Sequence, residues 1–227
     1  MTEVVAFIPA RCGSKALPGK NLASLNGLPL IIWTIRAALG VDVISKVVVS
    51  SDGDEILDLA VREGADIVRR PCELSGDQAL SIEAVLHALS QLNLTSGIGL
   101  LLQPTSPLRT SVDIDKALRL FAEKNASSVI SGFESPYHPM KTFVGSEFGE
   151  LTPLVSKEHP FLPRQLLPKA FCANGAIYVF NIRELIQKRS FYIEPCFIYE
   201  MSEDLSLDID TEEDLKKVSL IMSDLYE

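Results

Sequence analysis

Short apolar runs rich in β-branched residues alternate along the chain with segments of helical period. This alternation is typical of β-α-β units, in which parallel strands form a sheet covered by helices on both faces. The predicted strands are Val4–Ile8, Lys46–Ser50, Asp66–Arg69, Ile98–Leu102, Ser128–Ser131, Ala176–Phe180 and Phe197–Met201. The predicted helices are Leu30–Leu39, Glu55–Glu63, Ile82–Leu92, Val112–Lys124, Arg183–Lys188 and Glu212–Asp224. The pattern therefore predicts an α/β fold with a mainly parallel central sheet.

The alternation stops between residues 132 and 171, in a stretch rich in proline and aromatic residues that includes "ESPYHPMKTF" and "EHPFLPRQLLPK". A segment of this length without clear helices usually carries function or an interface. Its apolar content disfavours the alternative, a disordered linker. We therefore expect one domain over residues 1–227, with an excursion from the sheet over residues 132–171.

Thirty acidic against 21 basic residues give a formal charge of -9, which repels the phosphate backbone of nucleic acids and anionic membrane surfaces. Arg36 and Asp42 interrupt the most apolar stretch, so no run of about 18 apolar residues exists. The start "MTEVVAF" lacks the cationic stretch of a secretory signal. The four cysteines are widely spaced and indicate reduced thiols. We expect a cytoplasmic protein that binds neither nucleic acid nor membrane.

The loop after the first predicted strand, "ARCGSKALPGKN", combines two glycines with the cations Arg11, Lys15 and Lys20. Ligands of open parallel sheets gather at the carboxyl ends of the strands, where this loop lies. Glycines let the backbone approach an anion, and the cations can neutralise phosphate charges. The glycine spacing fits neither a Walker loop nor a G-x-G-x-x-G dinucleotide loop. The loop predicts an anion site, and the alternative is a solvated turn.

Two aspartates in "SLDIDTEEDL" lie close to the last predicted helix. Asp208 and Asp210 are two residues apart, so in an extended segment both carboxylates project to one side and can bind the same hard cation. Thr211 and Asp214 have the spacing of a capping box that begins the helix. The alternative for the pair is a solvated turn before a helix.

Six stretches, in order and spacing, resemble the bacterial acylneuraminate cytidylyltransferases, also called CMP-sialic acid synthetases. They are "IPARCGSKALPGKN", "SSDGDEI", "RRPCELSGDQALSI", "LLQPTSPLR", "PRQLLPKAFCANGAIYV" and "SLDIDTEEDL". The resemblance covers essentially the whole chain and implies a Rossmann-like nucleotidyltransferase fold. It implies that CTP and a nine-carbon α-keto acid sugar react to give the CMP-sugar and pyrophosphate. It also implies Mg²⁺ as cofactor.

The sugar is expected to be N-acetylneuraminate, because "HPMK", "PRQLLPKAF" and "FY" look most like the sialic acid enzymes. Legionaminate and pseudaminate remain alternatives for the same reaction. The stretch "FCANGAIY" departs from the commoner "RPNGAIY" by Cys172 and Ala173, a change that can reshape the sugar pocket.

The resemblance assigns one set of residues to the nucleotide, and these are Arg11, Ser14, Lys15, Lys20, Asn21, Asp77 and Ser81. The expected catalytic residues are Arg11, Lys15, Lys20 and Asp210. Charge that grows on the leaving pyrophosphate must be offset by such cations and by the metal. The expected Mg²⁺ ligands are Asp208 and Asp210.

Two residues of this set raise questions of conformation. Ser81 can contact the nucleotide or can serve only as the cap of the helix that follows it. Ala16 replaces the second glycine of the family's usual "GSKG", so a positive φ at this position would strain the alanine.

A second set is assigned by the resemblance to the sugar acid, and these are Gln103, Lys141, Arg164, Asn174, Tyr178, Phe191 and Tyr192. The two cations are expected to bind the substrate carboxylate. Phe191 and Tyr192 are expected to form an aromatic wall for the acyl amine. Lys141 and Arg164 could instead be ordinary exposed cations, and the aromatic residues could belong to the core.

The resemblance further implies a homodimer, formed partly by the excursion, which would also act as a substrate lid. No histidine is expected to be catalytic, because none has metal-ligand spacing. Two rival functions are a nucleotide-sugar glycosyltransferase, which also uses a D-x-D pair, and a nucleotide-binding regulatory module. The late position of the pair argues against the first, and the intact cationic loop and acid pair argue against the second.

Overall fold

The computed structural model of the chain describes residues 3–76 and 79–226, within which eleven strands and six α-helices occur. The strands are β1 Val4–Pro9, β2 Ser24–Leu25, β3 Leu28–Pro29, β4 Lys46–Ser51, β5 Asp66–Arg69, β6 Ile98–Leu101, β7 Ser128–Glu134, β8 Phe143–Gly145, β9 Leu151–Pro153, β10 Phe171–Asn181 and β11 Cys196–Glu200. The helices are α1 Leu30–Leu39, α2 Asp54–Arg62, α3 Ser81–Gln91, α4 Ser111–Glu123, α5 Ile182–Lys188 and α6 Glu212–Tyr226.

One seven-stranded sheet has the order β11-β7-β10-β6-β1-β4-β5 among the described residues. β10 runs antiparallel to both of its neighbours, and every other adjacent pair is parallel. The prediction of a mainly parallel sheet is confirmed. The chain passes from β1 to β4 on one side and later returns to β6 on the other side of β1. This reversal places a topological switch point, the usual ligand site of such sheets, at the carboxyl end of β1.

The sheet is covered on both faces, and this explains the unbroken apolar sequence of β1. Ala6 and Ile8 pack in a buried cluster with residues of α1, α2 and α4. Val5 and Phe7, which point to the opposite face, pack with residues of α3 and α5. Successive side chains of β1 therefore pack alternately against the two layers of helices, as the geometry of a strand requires.

The predicted helices and strands agree with the structure to within two residues, except at the excursion. β7 extends to Glu134 and β10 begins at Phe171, where these two residues pair with each other. The segment outside the sheet is therefore 135–170, so the predicted start at 132 is wrong by three residues and the predicted end at 171 differs by one. The pairing of these strand ends comes from the antiparallel ladder and not from an alternating apolar pattern, which Gly132 and Glu134 interrupt.

The excursion is built from a short hairpin, β8 with β9, and several single turns. His138 connects two of its parts, because its Nε2–H donates to the carbonyl oxygen of Pro168 at 2.7 Å and its Nδ1 accepts from the Met140 backbone N–H at 3.2 Å. Several large apolar side chains of the excursion lie on its surface. In the described part of the chain, no helix has the length and apolar character needed to cross a membrane.

Candidate active site

A cleft of about 270 Å³ lies at the carboxyl edge of the sheet, beside the end of β1. We call it the main cleft. Its charged and polar walls are Arg11, Lys20, Asn21, Arg70, Ser81, Gln103, Thr105 and Asp208. These residues come from the loops after β1, β5 and β6, from the start of α3 and from the segment before α6. The main cleft therefore lies where the strand order predicts a ligand site.

The loop after β1 folds back on itself, so that both of its ends reach the main cleft. Gly19 has a left-handed backbone (φ 66) that starts the turn Lys20–Leu22, a conformation that glycine adopts without strain. Asn21 is buried and its Nδ2 donates to the carbonyl oxygen of Arg11 at 2.8 Å. Ala16 is not among the non-glycine residues with positive φ, so the alanine is accommodated without the strain considered above.

Ser14 and Lys15 do not line the main cleft, although both belong to this loop. Lys15 is exposed and Ser14 is half-buried. The structure thus brings Arg11, Lys20 and Asn21 together and leaves Ser14 and Lys15 outside the cleft walls. Their contact with a nucleotide stays a prediction.

A small apolar cluster joins the two ends of the sequence at this site. Leu17 of the loop and Ile209, which lies between the two aspartates, are both buried in a cluster with Val218 and Met222 of α6. Because Ile209 points into this cluster, the side chains of its neighbours point away from it. This packing places the cationic loop beside the acid pair.

Asp208, Asp210 and Lys20 form a charged corner of the main cleft. Lys20 Nζ donates to Asp210 Oδ1 at 2.9 Å, and Asp208 lines the cleft. Desolvation raises the pKa of Asp208, the negative charge of Asp210 acts in the same direction, and a hydrogen bond from Thr105 and the charge of Lys20 oppose them. The two carboxylates are therefore close enough to repel each other, as expected for groups that share a cation.

Asp208 and Asp210 form an open site of two carboxylates, and such a site is suited to Mg²⁺. Within residues 3–76 and 79–226, no group of three or more His, Cys, Asp or Glu side chains is arranged to hold a metal ion. Mg²⁺ commonly takes one or two carboxylates and completes its shell with water and substrate phosphates. The residues present fit that kind of site.

The predicted capping box at the start of α6 is confirmed. The backbone N–H of Asp214 donates to Thr211 Oγ1 at 3.2 Å, and the backbone N–H of Thr211 donates to Asp214 Oδ2 at 2.9 Å. Asp214 also accepts from the backbone N–H of Asp210 at 3.2 Å. The box therefore holds the end of the acid pair as well as the helix.

Ser81 is the first residue of α3, and the cap position belongs to Leu80, which makes no side-chain cap bond. The alternative in which Ser81 caps the helix is therefore wrong. Ser81 lines the main cleft, so its hydroxyl is available to a ligand there. Asp77, the other residue predicted in this stretch, lies outside the described residues.

Arg70 is a cleft residue that the sequence reasoning missed. It follows β5 directly and is only 6% exposed. Its Nε and Nη2 are buried with no hydrogen-bond partner among the described residues. Desolvation lowers the pKa of Arg70, the nearby charge of Asp52 opposes this, and the charge of Arg11 adds to it. The sequence could have indicated Arg70, because a polar residue that follows a parallel strand lies at the carboxyl edge of the sheet. Gln103 was predicted from the same kind of position.

A second cavity of about 320 Å³, which we call the aromatic cavity, shares Ser81 and Gln103 with the main cleft. Tyr178 and Phe191 line it with ring centroids 5.3 Å apart. Burial and the charge of Asp208 raise the pKa of Tyr178, so its hydroxyl stays protonated. The aromatic cavity and the main cleft are therefore adjacent.

Tyr192 does not line the aromatic cavity, contrary to the predicted aromatic pair. It is 59% exposed, and its hydroxyl donates to Glu194 Oε1 at 3.0 Å. Phe191 instead packs inward on Phe180, with ring centroids 5.5 Å apart. The segment between α5 and β11 thus directs Phe191 towards the cavity and Tyr192 towards solvent.

Asn174 is also absent from the cavity walls, because its amide is used inside the protein. Oδ1 accepts from Ser131 Oγ at 2.6 Å, and Nδ2 donates to Ser206 Oγ at 2.9 Å. Asn174 is 6% exposed, and its expected contact with the sugar stays a prediction. Its neighbour Gly175 leaves room for Gln103, whose Oε1 would lie 2.4 Å from a Cβ at that position.

Lys141 and Arg164 lie in the excursion and line neither the main cleft nor the aromatic cavity. Lys141 Nζ donates to the carbonyl oxygen of Pro160 at 3.3 Å. Arg164 Nη2 donates to the carbonyl oxygen of Ser135 at 2.8 Å and lies 3.4 Å from Glu134 Oε1. Within one chain, the expected carboxylate-binding cations are therefore not brought to the other sugar-site residues.

Arg109 is a buried residue that hydrogen-bonds to the loop carrying Gln103. It is fully buried, and it donates to the Gln103 carbonyl oxygen at 3.3 Å, the Ala176 carbonyl oxygen at 3.3 Å and Thr34 Oγ1 at 2.6 Å. Desolvation lowers the pKa of Arg109 to about 10, so it remains charged at neutral pH. These bonds tie the loop after β6 to β10 and α1.

Comparison with known proteins places this geometry in a family. The sequence model of the cytidylyltransferase family matches residues 5–148. The N-acylneuraminate cytidylyltransferase of Streptococcus agalactiae serotype V is 34% identical over 212 residues, which cover 92% of this chain and 51% of that protein. The chain thus spans about half the length of that relative. The CMP-N,N'-diacetyllegionaminic acid synthase of Legionella pneumophila is 34% identical, covering 92% of this chain and 91% of that protein.

A solved structure shows the same fold. The CMP:2-keto-3-deoxy-manno-octonic acid synthetase complexed with CTP superposes with a TM-score of 0.73 and 18% identity, covering 98% of this chain and 99% of that chain. This likeness confirms the expected Rossmann-like nucleotidyltransferase fold. Taken with the family match over residues 5–148, it assigns the chain: it belongs to the cytidylyltransferase family.

Proposed function

We propose that the chain transfers CMP from CTP to the anomeric hydroxyl of N-acetylneuraminate, giving CMP-N-acetylneuraminate and pyrophosphate. The observation that carries this proposal is the main cleft, in which Arg11, Lys20 and Arg70 face the carboxylate of Asp208 at the switch point of the sheet. Three cations beside a carboxylate suit a nucleoside triphosphate with its metal. The names of the relatives support cytidine as the nucleoside and an acidic sugar as the acceptor.

Arg70 is the residue we assign to the base. Cytosine offers two adjacent acceptors, N3 and O2, whereas uracil carries a hydrogen on N3. A planar guanidinium presents adjacent N–H donors that match two neighbouring acceptors. Arg70 lines the main cleft, as Ser81 does, and its Nε and Nη2 have no hydrogen-bond partner among the described residues, so the guanidinium has donors to offer a base.

Arg11 and Lys20 bind the triphosphate, and Lys15 reaches it from the loop. Asp208 and Asp210 would hold Mg²⁺, which when bound neutralises charge on the triphosphate oxygens. In the reaction, the sugar hydroxyl loses its proton to water and its oxygen forms a bond to the α-phosphorus, while the bond from that phosphorus to the bridging oxygen breaks. The pyrophosphate leaves with the bonding electrons, and the two cations offset its growing charge.

The aromatic cavity is the site we assign to the sugar. It shares Ser81 and Gln103 with the main cleft, so a hydroxyl bound there lies beside the nucleotide. Tyr178 and Phe191 give an apolar surface for the acyl group, and Gln103 gives an amide for sugar hydroxyls. The Legionella relative supports a second candidate sugar, N,N'-diacetyllegionaminate, whose additional acyl group would also suit an aromatic surface.

The free thiols of all four cysteines support a reducing, cytoplasmic setting for this reaction.

The reaction is tested by pyrophosphate release with CTP, Mg²⁺ and a panel of sugar acids. The panel contains N-acetylneuraminate, N,N'-diacetyllegionaminate, pseudaminate and 3-deoxy-manno-octulosonate. We expect the highest kcat/KM with N-acetylneuraminate. A higher value with another acid would assign that acid as substrate, and no release with any of the four would favour a nucleotide-binding module without activity.

We propose that two copies of the chain assemble through the excursion. Its exposed apolar side chains include Tyr137 (86% exposed), Phe148 (92%) and Phe161 (80%). Exposed aromatic residues concentrated in one segment are typical of an interface. In such an assembly we expect Lys141 and Arg164 of each copy to act on the site of the other.

Sedimentation at micromolar concentration is expected to show a species of about 50 kDa, twice the 24.9 kDa of one chain. The double change Phe148→Asp and Phe161→Asp should convert it to the single-chain species, since buried charge opposes association. Val61→Asp is the control, because Val61 is 54% exposed on α2, away from the excursion. A wild-type protein that sediments only as a single chain would contradict the proposal.

A further inference from the structure

One peptide unit of the cationic loop is held by side chains at both of its ends. The carbonyl oxygen of Arg11 accepts from Asn21 Nδ2 at 2.8 Å. The N–H of Cys12, at the other end of the same peptide, donates to Asp52 Oδ1 at 2.9 Å. The second oxygen of Asp52 accepts from Cys12 Sγ at 3.0 Å. Rotation of the Arg11–Cys12 peptide would break bonds on both sides.

Asp52 is itself held in a rigid place. It directly follows β4, whose last residue Ser51 is fully buried and accepts from the Gly53 backbone N–H at 3.1 Å. A Cβ added to Gly53 would lie 2.9 Å from Cys12 Cβ. The turn after β4 and the loop after β1 are therefore in direct contact, with no room for displacement towards each other.

The charge of Asp52 does not favour the binding of an anion. Burial acts to raise the pKa of Asp52, but hydrogen bonds from Cys12 and the charge of Arg70 lower it overall, so the group is ionised at neutral pH. A carboxylate in this position weakens the attraction of the neighbouring cations for phosphate. Its contribution to an anion site must therefore come from geometry and not from charge.

We propose that Asp52 is a positioning residue for the phosphate-binding loop. By holding the Arg11–Cys12 peptide against Asn21, it fixes the direction in which the Arg11 side chain enters the main cleft. The proposal rests on the proposed function, in which Arg11 binds the triphosphate of CTP. None of the sequence features that identify the family required this role for Asp52.

The test compares Asp52→Ala with Asp52→Asn by calorimetric titration with CTP and Mg²⁺ in the absence of sugar. Alanine removes both acceptors, and we expect the Kd for CTP to rise about tenfold, although one negative charge is lost. Asparagine keeps a carbonyl oxygen for the Cys12 N–H, so its Kd should stay within about threefold of the wild-type value. Asp54→Ala is the matched control, because this carboxylate pairs with Arg69 and not with the loop.

Alkylation of Cys12 by iodoacetamide gives a readout that needs no ligand. The hydrogen bond to Asp52 raises the pKa of the Cys12 thiol, and burial and the charge of Asp52 act in the same direction. Arg11 and Arg70 are the other charged groups beside this pair. Both Asp52 variants should therefore alkylate at Cys12 several-fold faster, on the order of tenfold for each unit of pKa. The exposed Cys72 and Cys172 serve as internal references in peptide mass spectra.

The outcomes separate the two proposals. Weaker CTP binding by Asp52→Ala, near-normal binding by Asp52→Asn and faster alkylation in both would support the positioning role. Equal or tighter binding by Asp52→Ala, or unchanged alkylation of Cys12 in both variants, would overturn it. If the wild-type protein does not bind CTP, the proposed function fails and the positioning role fails with it, whatever the rate of alkylation.

Discussion

Replacing Asp208 by Asn is expected to lower pyrophosphate release by about a thousandfold, because a carboxylate that holds the metal on the triphosphate cannot be replaced by a neutral amide. Asp210→Asn should give a loss of similar size, and it also frees Lys20 from its ion pair. The measurement is the steady-state rate with saturating CTP and N-acetylneuraminate at several Mg²⁺ concentrations.

The fold should tolerate this change. In wild type, desolvation and the charge of Asp210 raise the pKa of Asp208, so ionising this carboxylate costs more free energy in the folded protein than in the unfolded chain. A group with a raised carboxyl pKa costs stability when ionised, and a neutral Asn removes that cost. The free energy of unfolding should therefore be equal or higher. Asp204→Asn, an exposed carboxylate in the same segment, is the control. Near-normal turnover of Asp208→Asn in Mg²⁺ would contradict the assigned metal site.

Replacing Arg70 by Met is expected to raise the Kd for CTP about a hundredfold, because the change removes two hydrogen bonds from a charged donor to the base. Arg70→Lys keeps the charge but not the planar pair of donors, so it should bind CTP and UTP with similar affinity while wild type prefers CTP. Competition between the two nucleotides, measured by calorimetric titration, would show this difference.

The free energy of unfolding shows whether Arg70→Met loses CTP binding because a contact is lost or because the fold is destabilised. The Nε and Nη2 of Arg70 are buried without a partner, and desolvation lowers the pKa of its guanidinium, so its charge costs free energy in the folded protein. Replacing a buried, poorly paired charge by an apolar residue of similar length is often stabilising. Arg70→Met should therefore resist urea at least as well as wild type. The control is Arg69→Met, which changes an exposed neighbouring arginine and should leave nucleotide binding unchanged. Equal affinities of Arg70→Met and wild type for CTP would contradict the assignment of Arg70 to the base.

The arrangement of strands and helices could be predicted because each element has a strong local pattern. β1 is buried on both faces and therefore reads as a continuous apolar run, and α6 begins at a capping box that the sequence shows directly. The added length of β7 and β10 could not be predicted, because Glu134 and Phe171 are paired by the ladder and not by any pattern of their own.

The site could be predicted where a residue's position along the chain decides its position in space. Arg11, Lys20 and Gln103 follow strands at the carboxyl edge, and the structure brings them to one cleft. Side-chain direction could not be obtained in this way. Tyr192 faces solvent although its neighbour Phe191 lines the aromatic cavity. The amide of Asn174 hydrogen-bonds to side chains that lie far along the chain.

The excursion leaves the sheet at Glu134 and returns at Phe171, two residues that face each other across adjacent antiparallel strands. It is thus an enlarged hairpin loop, whose ends stay one strand spacing apart whatever its length. The free energy of closing such a loop changes only slowly with the number of residues in it. Insertions, deletions or replacement of the whole segment would leave the register of β7 and β10 intact. Evolution can therefore change what this segment contacts without rebuilding the nucleotide edge of the sheet.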